Sequence, residues 1–598
     1  MRDENYLIMG LNPCVWGLNY HNPSVVLVLH DKIVYAIEEE RINRIKNSMG
    51  IFPENAVDEC KKIAQRMGLP IKKIVIGFQP NEKIKRLYFE LEALLEYEKK
   101  DFLDNNEKGS GIVDEYKEKV EMICDGLQYK NADKLKMLIS LKLNIPNAEI
   151  KFINHHLSHV VSSFAFSKYD RALCIVCDGV GEYEATSIWI ADEKGITKIS
   201  EIPIPNSLGY FYAIVTAYLG FTPWSDEGKV MALAPYGKYN KYIFDKMKKV
   251  VSYGNGSYDV SFFTKNSITN GLSLDTEKAV HTFEKFLEIP RRKDRIDDIY
   301  KDIAFAVQTY IEEIVLSLVN QWSEKTKITQ VCVSGGLFMN CKLNMYIREN
   351  AKIKNFFVQP VAGDAGTSIG AAYYESGKTK ANLSTLSLGN KYNKEQIEDT
   401  LSNSSGLVYK YFEKEDLCKI VAEALEKGKI VCWFQESAEF GARALGNRSL
   451  LMDPRKQENA DIMNDLIKHR EKWRPFACSM LAEYADEILE NFDDSKEPYF
   501  MIEAYKVKDE WINKIKAVIH PMDHTTRPQL VKRKNYPLYY ELIYQFYKRT
   551  GIPLIMNTSF NDKGEPIVLS PKDAVTFFEK NPADLLVMGN YIVEKEKI

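Results

Sequence analysis

The sequence contains no run of about eighteen apolar residues, the length that a membrane-spanning helix needs. It also has no excess of positive charge, because 80 Lys and Arg residues face 83 Asp and Glu residues. A surface built for nucleic acid usually shows a strong basic excess. The composition therefore argues against a membrane span and against a nucleic-acid partner. The N-terminus shows no basic start leading into an apolar run, so we expect no signal peptide and a cytoplasmic location.

Cysteine and histidine are both scarce, with 10 and 9 copies in 598 residues. Cys174 and Cys177 are the one close cysteine pair, in an apolar run that predicts a strand. Positions three apart on a strand point to opposite faces, so we expect neither a disulfide nor a shared metal there. The cysteines are predicted to be reduced core residues. A chain of this length is too long to fold around one hydrophobic core, so two or more domains are expected.

Two segments repeat one strand pattern. The first reads YLIMGLN, SVVLVLH and IVYAIEEE, and the second reads RALCIVC, EATSIWIA and ITKISEI. In each, an apolar strand leads through a turn to a second strand and then through a tight turn to a third. Two lobes that both open in this way are typical of the sugar kinase/actin-like architecture, a duplicated α/β fold.

A strand followed by a glycine turn is predicted at residues 329–345, TQVCVSGGLFMNCKLNM, where Gly335 and Gly336 lead into a helix. Such a turn suits phosphate or ribose binding, and an ordinary connection between strand and helix is the alternative. Residues 377–392 are polar and rich in small side chains, which indicates a linker. A second α/β domain is expected from there to Ile598.

His155 and His159 lie four residues apart in FINHHLSHVV, so a helix there would place both imidazoles on one face. That spacing suits a divalent transition metal, although many such pairs are structural histidines. Two acidic residues could complete a site. Asp178 ends the predicted strand ALCIVCD, and Asp364 lies in VAGDAGTS. Each could instead be a helix cap or a turn residue.

His21 lies in the turn GLNYHNPS between two predicted strands. Because histidine titrates near neutral pH, it could act as a general base for an attacking hydroxyl. An ordinary polar turn residue is the alternative. A second polar cluster, EEERINRIK, contains Arg41, Arg44 and Lys46, and its composition alone predicts a solvated face.

The C-terminal part carries many side chains that suit anions, in the motifs EFGARALGNRS, KHREKWRPF, HTTRPQ and IMNTSFN. Guanidinium groups spaced by small residues favour bidentate binding of phosphate oxygens. Surface salt bridges are the alternative, and they fit RALGNR poorly because its arginines stand among glycine, leucine and asparagine. The candidates are Arg443, Arg448, Lys468, Arg470, Arg474, Arg527, Ser559 and Asn561.

Motifs along nearly the whole chain resemble the O-carbamoyltransferase family of nodulation-factor and antibiotic biosynthesis. In chain order they are YHNPS, EEER, HHLSH, CDGVGE, DEGKVMALAPYG, SGGLFMNCKLN, GDAGTSIGAA, FGARALGNRS, RPF and NTSFN. Each motif alone is unspecific, whereas their order is highly specific.

The resemblance implies two domains, which we place at 1–380 and 390–598. The first is expected to be the two-lobed sugar kinase/actin-like domain, similar to the catalytic subunit of tRNA threonylcarbamoyl transferase. The second is expected to be a YrdC-like α/β domain. In such enzymes the YrdC-like domain forms carbamoyl adenylate from carbamoyl phosphate and ATP, with Mg accompanying ATP, and releases pyrophosphate. The first domain, with bound iron, then transfers the carbamoyl group to a hydroxyl.

The resemblance also implies roles for single residues. His21 would be the catalytic base. The ligands of Fe(II) or a similar divalent transition metal would be His155, His159, Asp178 and Asp364. The residues that bind nucleotide and carbamoyl phosphate would be Arg443, Arg448, Lys468, Arg474, Arg527, Ser559 and Asn561. In the first domain, nucleotide would be bound by Gly335, Gly336 and Asn340, and the acceptor by Glu227.

The chain departs from the family pattern at three places. Asn22 stands where the family usually has aspartate, and an amide cannot serve as a carboxylate. Ala442 replaces the proline of FGPRALG. After EEER the chain reads KNSMG, where the family usually continues to a histidine, so substrate recognition near there is expected to differ.

Other functions stay open at this point. An actin-like small-molecule kinase or phosphotransferase would leave the C-terminal cations without a role. A non-catalytic metal-binding scaffold would leave His21 and those same cations unexplained, and the acidic balance disfavours a tRNA-modifying enzyme. The acceptor is expected to be a small-molecule natural product with a hydroxyl group. Its identity and the oligomeric state, for which a homodimer is the candidate, do not follow from the sequence. Residues 81–150 predict a surface helical insertion, with part of an acceptor pocket as the alternative.

Overall fold

The computed structural model describes residues 5–13, 21–79, 132–269, 273–493 and 499–596. The strands are β1 (Leu7–Asn12), β2 (Ser24–Leu29), β3 (Lys32–Glu38), β4 (Ile71–Ile76), β5 (Glu149–Phe152), β6 (Arg171–Cys177), β7 (Glu184–Asp192), β8 (Gly195–Pro203), β9 (Ser252–Gly254), β10 (Ser257–Asp259), β11 (Ile268–Thr269), β12 (Ser273–Leu274), β13 (Gln330–Ser334), β14 (Asn355–Val358), β15 (Leu407–Tyr411), β16 (Val431–Phe434), β17 (Arg448–Met452), β18 (Ala477–Leu481), β19 (Tyr505–Lys506), β20 (Thr525–Thr526), β21 (Pro528–Val531), β22 (Leu554–Ser559), β23 (Leu585–Met588) and β24 (Tyr591–Lys595).

The helices are α1 (Glu39–Asn43), α2 (Glu54–Met67), α3 (Ala132–Leu143), α4 (His155–Phe166), α5 (Leu208–Tyr218), α6 (Glu227–Leu233), α7 (Lys241–Met247), α8 (Thr276–Leu287), α9 (Asp298–Thr326), α10 (Cys341–Asn350), α11 (Thr367–Ser376), α12 (Lys394–Ser402), α13 (Lys414–Glu426), α14 (Gln457–Met463), α15 (Ala485–Ile488), α16 (Asp509–Ile512), α17 (Pro537–Thr550) and α18 (Pro571–Lys580). Most of the predicted insertion at 81–150 lies outside the described residues, and only its end, with α3 and the start of β5, is described.

The chain divides into two compact units. The first contains Met1–Lys32 and Gly50–Ala381, and the second contains Ile33–Met49 and Asn382–Ile598. The second unit thus includes a short segment from near the N-terminus, which the sequence had placed in the first domain.

The segment Ile33–Met49 belongs to the second unit because its polar groups pair there. The backbone N–H of Ala36 donates to the carbonyl of Leu388 at 3.0 Å. The hydroxyl of Tyr35 donates to the side-chain oxygen of Asn390 at 2.6 Å. The position of this segment near the N-terminus had placed it in the first domain. Position in the chain does not show which distant residues the end of a strand will contact.

Two five-stranded sheets share one strand order. One sheet runs β3-β2-β1-β4-β5, and the other runs β14-β13-β6-β7-β8, which is the same order from the opposite edge. In both, the first pair along the chain is antiparallel, and the two strands added later pair in parallel. The repeat predicted from the sequence is therefore present, and both sheets are mixed.

Buried strands and close helix packing position the functional residues of the first unit. Strand β6 is buried from Ala172 to Cys177, which explains its continuous apolar sequence. Helix α4 begins where the side chain of Asn154 accepts a hydrogen bond from the N–H of Leu157 at 2.9 Å. Helix α11 packs on α4 through Gly370, where any side chain would meet the carbonyl oxygen of Ser158.

The second unit contains an eight-stranded mixed sheet in the order β15-β24-β23-β16-β17-β22-β18-β21. Helices α13 and α17 pack against each other beside it. Trp433, on β16, is fully buried in this core, and its indole N–H donates to the carbonyl of Gly446 at 2.9 Å. A glycine-rich loop is thereby tied to the centre of the sheet.

Every cysteine in the described ranges is buried and free of disulfides, as the sequence predicts.

Across the residues described above, no helix has both the length and the apolar character that crossing a membrane requires.

Candidate functional site

Four potential metal ligands meet in the first unit. His155 and His159 lie one turn apart on α4, as predicted, with ring centroids 4.8 Å apart. Asp178 follows β6, and Asp364 begins a short 3₁₀ turn ahead of α11. One ligand atom from each of the four residues lies within 4.8 Å of the others. The structure thus brings together the residues that the sequence analysis proposed as ligands.

The ligand atoms converge on a small space. Nε2 of His155 and Nε2 of His159 each lie 3.3 Å from Oδ2 of Asp178. The same two nitrogens lie 3.7 and 3.8 Å from Oδ1 of Asp364. All four side chains are at most 15% exposed. Two imidazole nitrogens and two carboxylate oxygens are a donor set that divalent transition metals accept.

Neighbouring backbone groups orient two of these ligands. Nδ1 of His155 lies 3.1 Å from the carbonyl of Gly77, and because a carbonyl can only accept, Nδ1 carries the proton. Nε2 is therefore the ring nitrogen that faces the site. Oδ1 of Asp178 accepts hydrogen bonds from the N–H groups of Gly179 and Gly336, at 2.8 and 3.0 Å. The other oxygen, Oδ2, is left to face the histidines.

The chemistry of this space fits a metal ion. His159 is fully buried, yet neither ring nitrogen has a hydrogen-bond partner of good geometry among the described residues. A buried polar atom without a partner is costly unless a ligand satisfies it. Burial by itself raises the pKa of Asp178, but the nearby imidazoles outweigh burial and hold its pKa well below the usual range. Asp178 is thus ionised.

Glu182 supports the start of α4 and was not identified from the sequence. Its Oε1 accepts from the N–H groups of His155 and Gln79, at 2.8 and 2.7 Å, and its Oε2 accepts from the side chain of Asn154. Burial, reinforced by Glu184, raises the pKa of Glu182 to about 8. In the sequence, its position directly after the glycines of CDGVGE is the feature that could have identified it.

His21 lies beside Trp224, which contacts the residue that follows Asp178. Asn12, at the end of β1, donates to the carbonyls of His21 and Asn22 at 3.2 and 3.0 Å and so shapes this turn. The His21 ring lies 6.0 Å from the ring of Trp224. Trp224 also packs against Gly179, where a Cβ would lie 3.4 Å from the indole. Gly179 directly follows Asp178, so one aromatic ring joins the predicted base to the ligand set.

Glu227, predicted to bind the acceptor, stabilises the same tryptophan. Its carboxylate accepts from the backbone N–H of Trp224 at 2.5 Å, and burial raises its pKa. Trp224 has a φ of +67°, a conformation that bulky residues rarely adopt. Tyr210 packs edge-on against the indole, with ring centroids 5.3 Å apart. Glu227 thus fixes a strained aromatic residue beside His21.

The predicted nucleotide loop of the first unit has internal partners. The N–H of Gly336 is taken by Asp178, and Gly335 has a φ of +99° with no room for a Cβ beside Cys177. The side chain of Asn340 caps α10 and donates to Gln308 at 2.9 Å. The loop therefore positions the carboxylate of Asp178 and caps the start of α10.

A second polar cluster, in the second unit, centres on Lys468. The lysine ends a π-helical turn, Asn464–Lys468, a type of distortion frequent at functional sites. Its ammonium donates to the carbonyls of Ser559 and Asn561 at 2.6 and 2.7 Å, and to the side-chain oxygen of Asn561 at 2.8 Å. The structure thus unites three residues that the sequence placed together.

Arginines surround this lysine. Burial, together with the charges of Arg470 and Arg474, lowers the pKa of Lys468 well below its ordinary value. Burial, with Arg474 and Arg527, lowers the pKa of Arg470 to about 9. Nε of Arg527 is buried and lacks a hydrogen-bond partner in the described part of the chain. Several cations close enough to repel one another suit a polyanion such as a phosphate ester.

Two family models match the chain and together cover most of it. The model described as Carbamoyltransferase N-terminus matches residues 14–373, and the model described as Carbamoyltransferase C-terminus matches residues 422–595. The chain belongs to the carbamoyltransferase family. It is therefore a transferase enzyme, as the resemblance of its motifs implied.

Curated relatives agree with this membership. The chain is 33% identical to Uncharacterized protein sll1178 of Synechocystis over 96% of its own length and 95% of the relative. It is 31% identical to Nodulation protein NolNO of Sinorhizobium fredii, over 96% of the chain and 79% of the relative. Among solved structures, HypF of T. kodakarensis aligns with 14% identity and a TM-score of 0.30, over 63% of this chain and 49% of that one.

Arg448 of this carbamoyltransferase does not have the role that the sequence analysis assigned to it. The side chain is fully buried and stacks over Phe434, with its guanidinium carbon 3.6 Å from the ring centroid. Its N–H groups donate to the carbonyls of Gln435, Asn447 and Leu569. The prediction of phosphate binding is wrong for this arginine because its donors are already occupied by backbone. Arg443, two residues after Gly441, remains partly exposed.

The solvated face predicted for EEERINRIK is also wrong for Arg41, which is 1% exposed. Arg44 donates to the carbonyls of Pro566 and Ile567 at 2.8 and 2.6 Å. Among the three basic residues of the segment, Lys46 alone is exposed, at 41%. The composition of the segment predicted solvent-exposed side chains. Composition does not show that these arginines donate to carbonyls of residues far away in the chain.

Gly370→Ala should lower both bound metal and thermal stability. A Cβ at this position would lie 1.8 Å from the carbonyl oxygen of Ser158, one residue before His159, so α4 must shift. Overpacking of this kind costs about 1–3 kcal/mol. Metal analysis and the thermal midpoint measure the effect. Gly228→Ala in α6 is the matched control, since nothing lies within 4 Å of its Cβ position. Equal metal content in both variants would contradict the packing argument.

Proposed function

We propose that this enzyme is an ATP-dependent O-carbamoyltransferase. It forms carbamoyl adenylate from carbamoyl phosphate and ATP, and then passes the carbamoyl group to a hydroxyl of a small-molecule natural product. The observation that carries the proposal is the presence of two chemically different sites in one chain. A cation cluster around Lys468 lies in the second unit, and a His₂Asp₂ ligand set lies in the first.

The cation cluster suits the activation step. A carbamate is a poor acyl donor, and joining it to AMP supplies a better leaving group. Water first cleaves carbamoyl phosphate into carbamate and inorganic phosphate. A carbamate oxygen then attacks the α-phosphorus of ATP, which enters with Mg, and pyrophosphate leaves. Lys468 and the arginines beside it offset the negative charge that builds on the phosphate. Ser559 and Asn561 hold the lysine in place. On this proposal the second unit is YrdC-like and the first is actin-like, similar to the threonylcarbamoyl-transferring subunit.

The ligand set and His21 suit the transfer step. His155, His159, Asp178 and Asp364 would hold Fe(II) or a similar divalent transition metal, which when bound supplies Lewis-acid polarisation of a carbonyl. The acceptor oxygen attacks the carbamoyl carbon, the C–O bond forms, and AMP leaves. His21 accepts the proton that the hydroxyl loses. The His21 turn is held by Asn12.

The nucleotide products decide between this function and its main alternative. Purified enzyme is incubated with ATP and carbamoyl phosphate, and the products are separated. Release of pyrophosphate that depends on carbamoyl phosphate is expected. ADP as the sole nucleotide product would instead favour an actin-like kinase, and no turnover by a folded, metal-loaded protein would favour a non-catalytic scaffold.

His21→Ala should lower the rate of carbamoyl transfer by about 10²–10⁴-fold, because a positioned general base contributes on that scale. Pyrophosphate release and metal content should stay at the level of the unmodified enzyme. The transfer rate is measured with an accepted hydroxyl substrate. His30→Ala, at a histidine hydrogen-bonded to Asn5 on the surface, is the control. A transfer rate that does not change in His21→Ala would exclude the base role.

The acceptor is proposed to be a small molecule, with no requirement for nucleic acid or membrane. A collection of hydroxylated metabolites is incubated with enzyme, ATP and carbamoyl phosphate, and each is examined for the mass gain of one carbamoyl group. Filter binding with tRNA tests the competing idea of a nucleic-acid acceptor. The oligomeric state, with a homodimer as the proposal, is measured by light scattering.

A further inference from the structure

A buried ion pair from near the N-terminus binds the loop that carries Arg443, and both belong to the second unit. Glu38 and Arg41 are 3% and 1% exposed. Oε1 of Glu38 accepts from the N–H of Gly441 at 3.0 Å, and Nη2 of Arg41 donates to the carbonyl of the same glycine at 2.6 Å. The carboxylate of Glu38 thus binds the N–H of Gly441, and the guanidinium of Arg41 binds its carbonyl.

Stability alone does not account for this arrangement. Nε of Arg41 lies 3.7 Å from Glu38 and 3.6 Å from Glu40, and neither Nε nor Nη1 has a hydrogen-bond partner in the part of the chain described. A buried guanidinium with unused donors is costly, and replacing such a buried ion pair as a whole by apolar side chains of similar volume is often neutral or stabilising. Arg41 therefore has a role that packing would not require.

The remainder of the loop is tied down as well. Oε1 of Glu439 accepts from the N–H groups of Leu445 and Asn447 at 2.7 and 2.8 Å, and the indole of Trp433 donates to Gly446. These bonds fix the end of the loop that follows Arg443. Before the loop, the N–H of Phe440 donates to the carbonyl of Leu386 at 2.8 Å, so Gly441 and Ala442 are the residues left for another contact to hold.

That other end begins at Gly441, whose φ of +102° is open to glycine and unfavourable for other residues. A glycine is also the residue most free to rotate, so it would not by itself hold Arg443, two positions further on. From Gly441 to Leu450 only Ala442 and Arg443 are not buried. The loop therefore leaves a single cationic side chain partly exposed, and the backbone from which that side chain extends is set in part by how Gly441 is held.

We propose that Glu38 and Arg41 are positioning residues for Arg443 in the formation of carbamoyl adenylate. By holding the N–H and the carbonyl of Gly441, they set the direction in which the Arg443 guanidinium leaves the loop. Misplacing a substrate-binding group by about 1 Å can cost on the order of 10²-fold in rate, which explains why a costly buried pair would persist. The inference rests on the proposed adenylation activity and on the phosphate-binding role that the motif resemblance implies for Arg443.

Arg41→Met tests the inference, because methionine keeps much of the apolar volume and removes the bond to Gly441. Pyrophosphate release is measured over a range of carbamoyl phosphate concentrations. We expect kcat/KM to fall on the order of 10²-fold, with a KM rise of about tenfold, while metal content is maintained. The thermal midpoint should fall as well, because Glu38 stays buried without its partner, so the rates are referred to the folded fraction. Arg41→Lys should recover part of the loss, since an ammonium can still donate to Gly441 but lacks the guanidinium fork. Lys46→Ala, at an exposed residue of the same segment that pairs with Glu40, should behave as the unmodified enzyme.

The possible results separate the inference from the function on which it rests. Absence of pyrophosphate release in the unmodified enzyme would remove the proposed function itself. An active unmodified enzyme with unaltered KM and kcat in Arg41→Met would overturn the positioning role. A fall in kcat that only matches a smaller folded fraction, with KM unchanged, would reduce Arg41 to a structural residue and also overturn it. If Arg41→Met does not fold, Arg41→Lys decides by the same two constants.

Discussion

His155→Ala should remove most of the bound metal and stop carbamoyl transfer, while pyrophosphate release continues. The substitution deletes one of the four ligands whose donor atoms lie within 4.8 Å of each other. Loss of a residue that merely supports a ligand costs about 10–100-fold in metal affinity, so loss of a ligand should cost more. Activation is expected to persist because the cation cluster around Lys468 belongs to the other unit.

Three measurements on one preparation check this prediction. Metal is determined in the purified protein, pyrophosphate release is followed with ATP and carbamoyl phosphate, and carbamoylated acceptor is measured by mass. His281→Ala is the matched control, because His281 is an exposed residue of α8. Loss of pyrophosphate release in His155→Ala would contradict the separation of the two steps. Unaltered metal content would contradict the ligand assignment.

Lys468→Ala should abolish pyrophosphate release with metal content unchanged. The ammonium is 6% exposed and is held by Ser559 and Asn561, so its charge is fixed beside the arginines. Removing one fixed cation that meets the developing charge of a transition state typically costs about 10²–10³-fold in kcat. The hydroxyl of Ser559 and the side-chain amide of Asn561 would also lose their contact with the ammonium.

Lys472→Ala provides the control, since that lysine is 71% exposed and pairs only loosely with Asp465, at 3.5 Å. Normal pyrophosphate release in Lys468→Ala would show that the cluster does not serve adenylation. The pH profile supplies a second check. Burial and Arg470 lower the pKa of Lys468, so its positive charge is lost at a lower pH than that of an exposed lysine. The affinity for carbamoyl phosphate should accordingly decline on the alkaline side, and Lys468→Arg should extend it to higher pH.

Much of the fold and of the candidate site followed from local sequence patterns. The four-residue spacing of His155 and His159 predicted a shared helix face, and strands ending in an acidic residue predicted where Asp178 would stand. Both are local properties, because the periods of helices and strands are determined over a few residues. The repeated strand pattern predicted two similar sheets for the same reason. The order of the motifs predicted the family.

The tertiary structure alone decided which polar residues face solvent and which support others. Arg448 and Arg443 stand in one motif, yet the first is buried against carbonyls and the second is partly exposed. Arg41 lies in a stretch that is polar throughout, yet it binds Gly441, some four hundred positions away in the chain. Burial and hydrogen bonding depend on which distant segments of the chain pack together. The residues next to a given position in the sequence do not show which segments those are. The sequence by itself thus determined which chemical groups the enzyme has and how they are spaced, and folding determined which of them are left free to act.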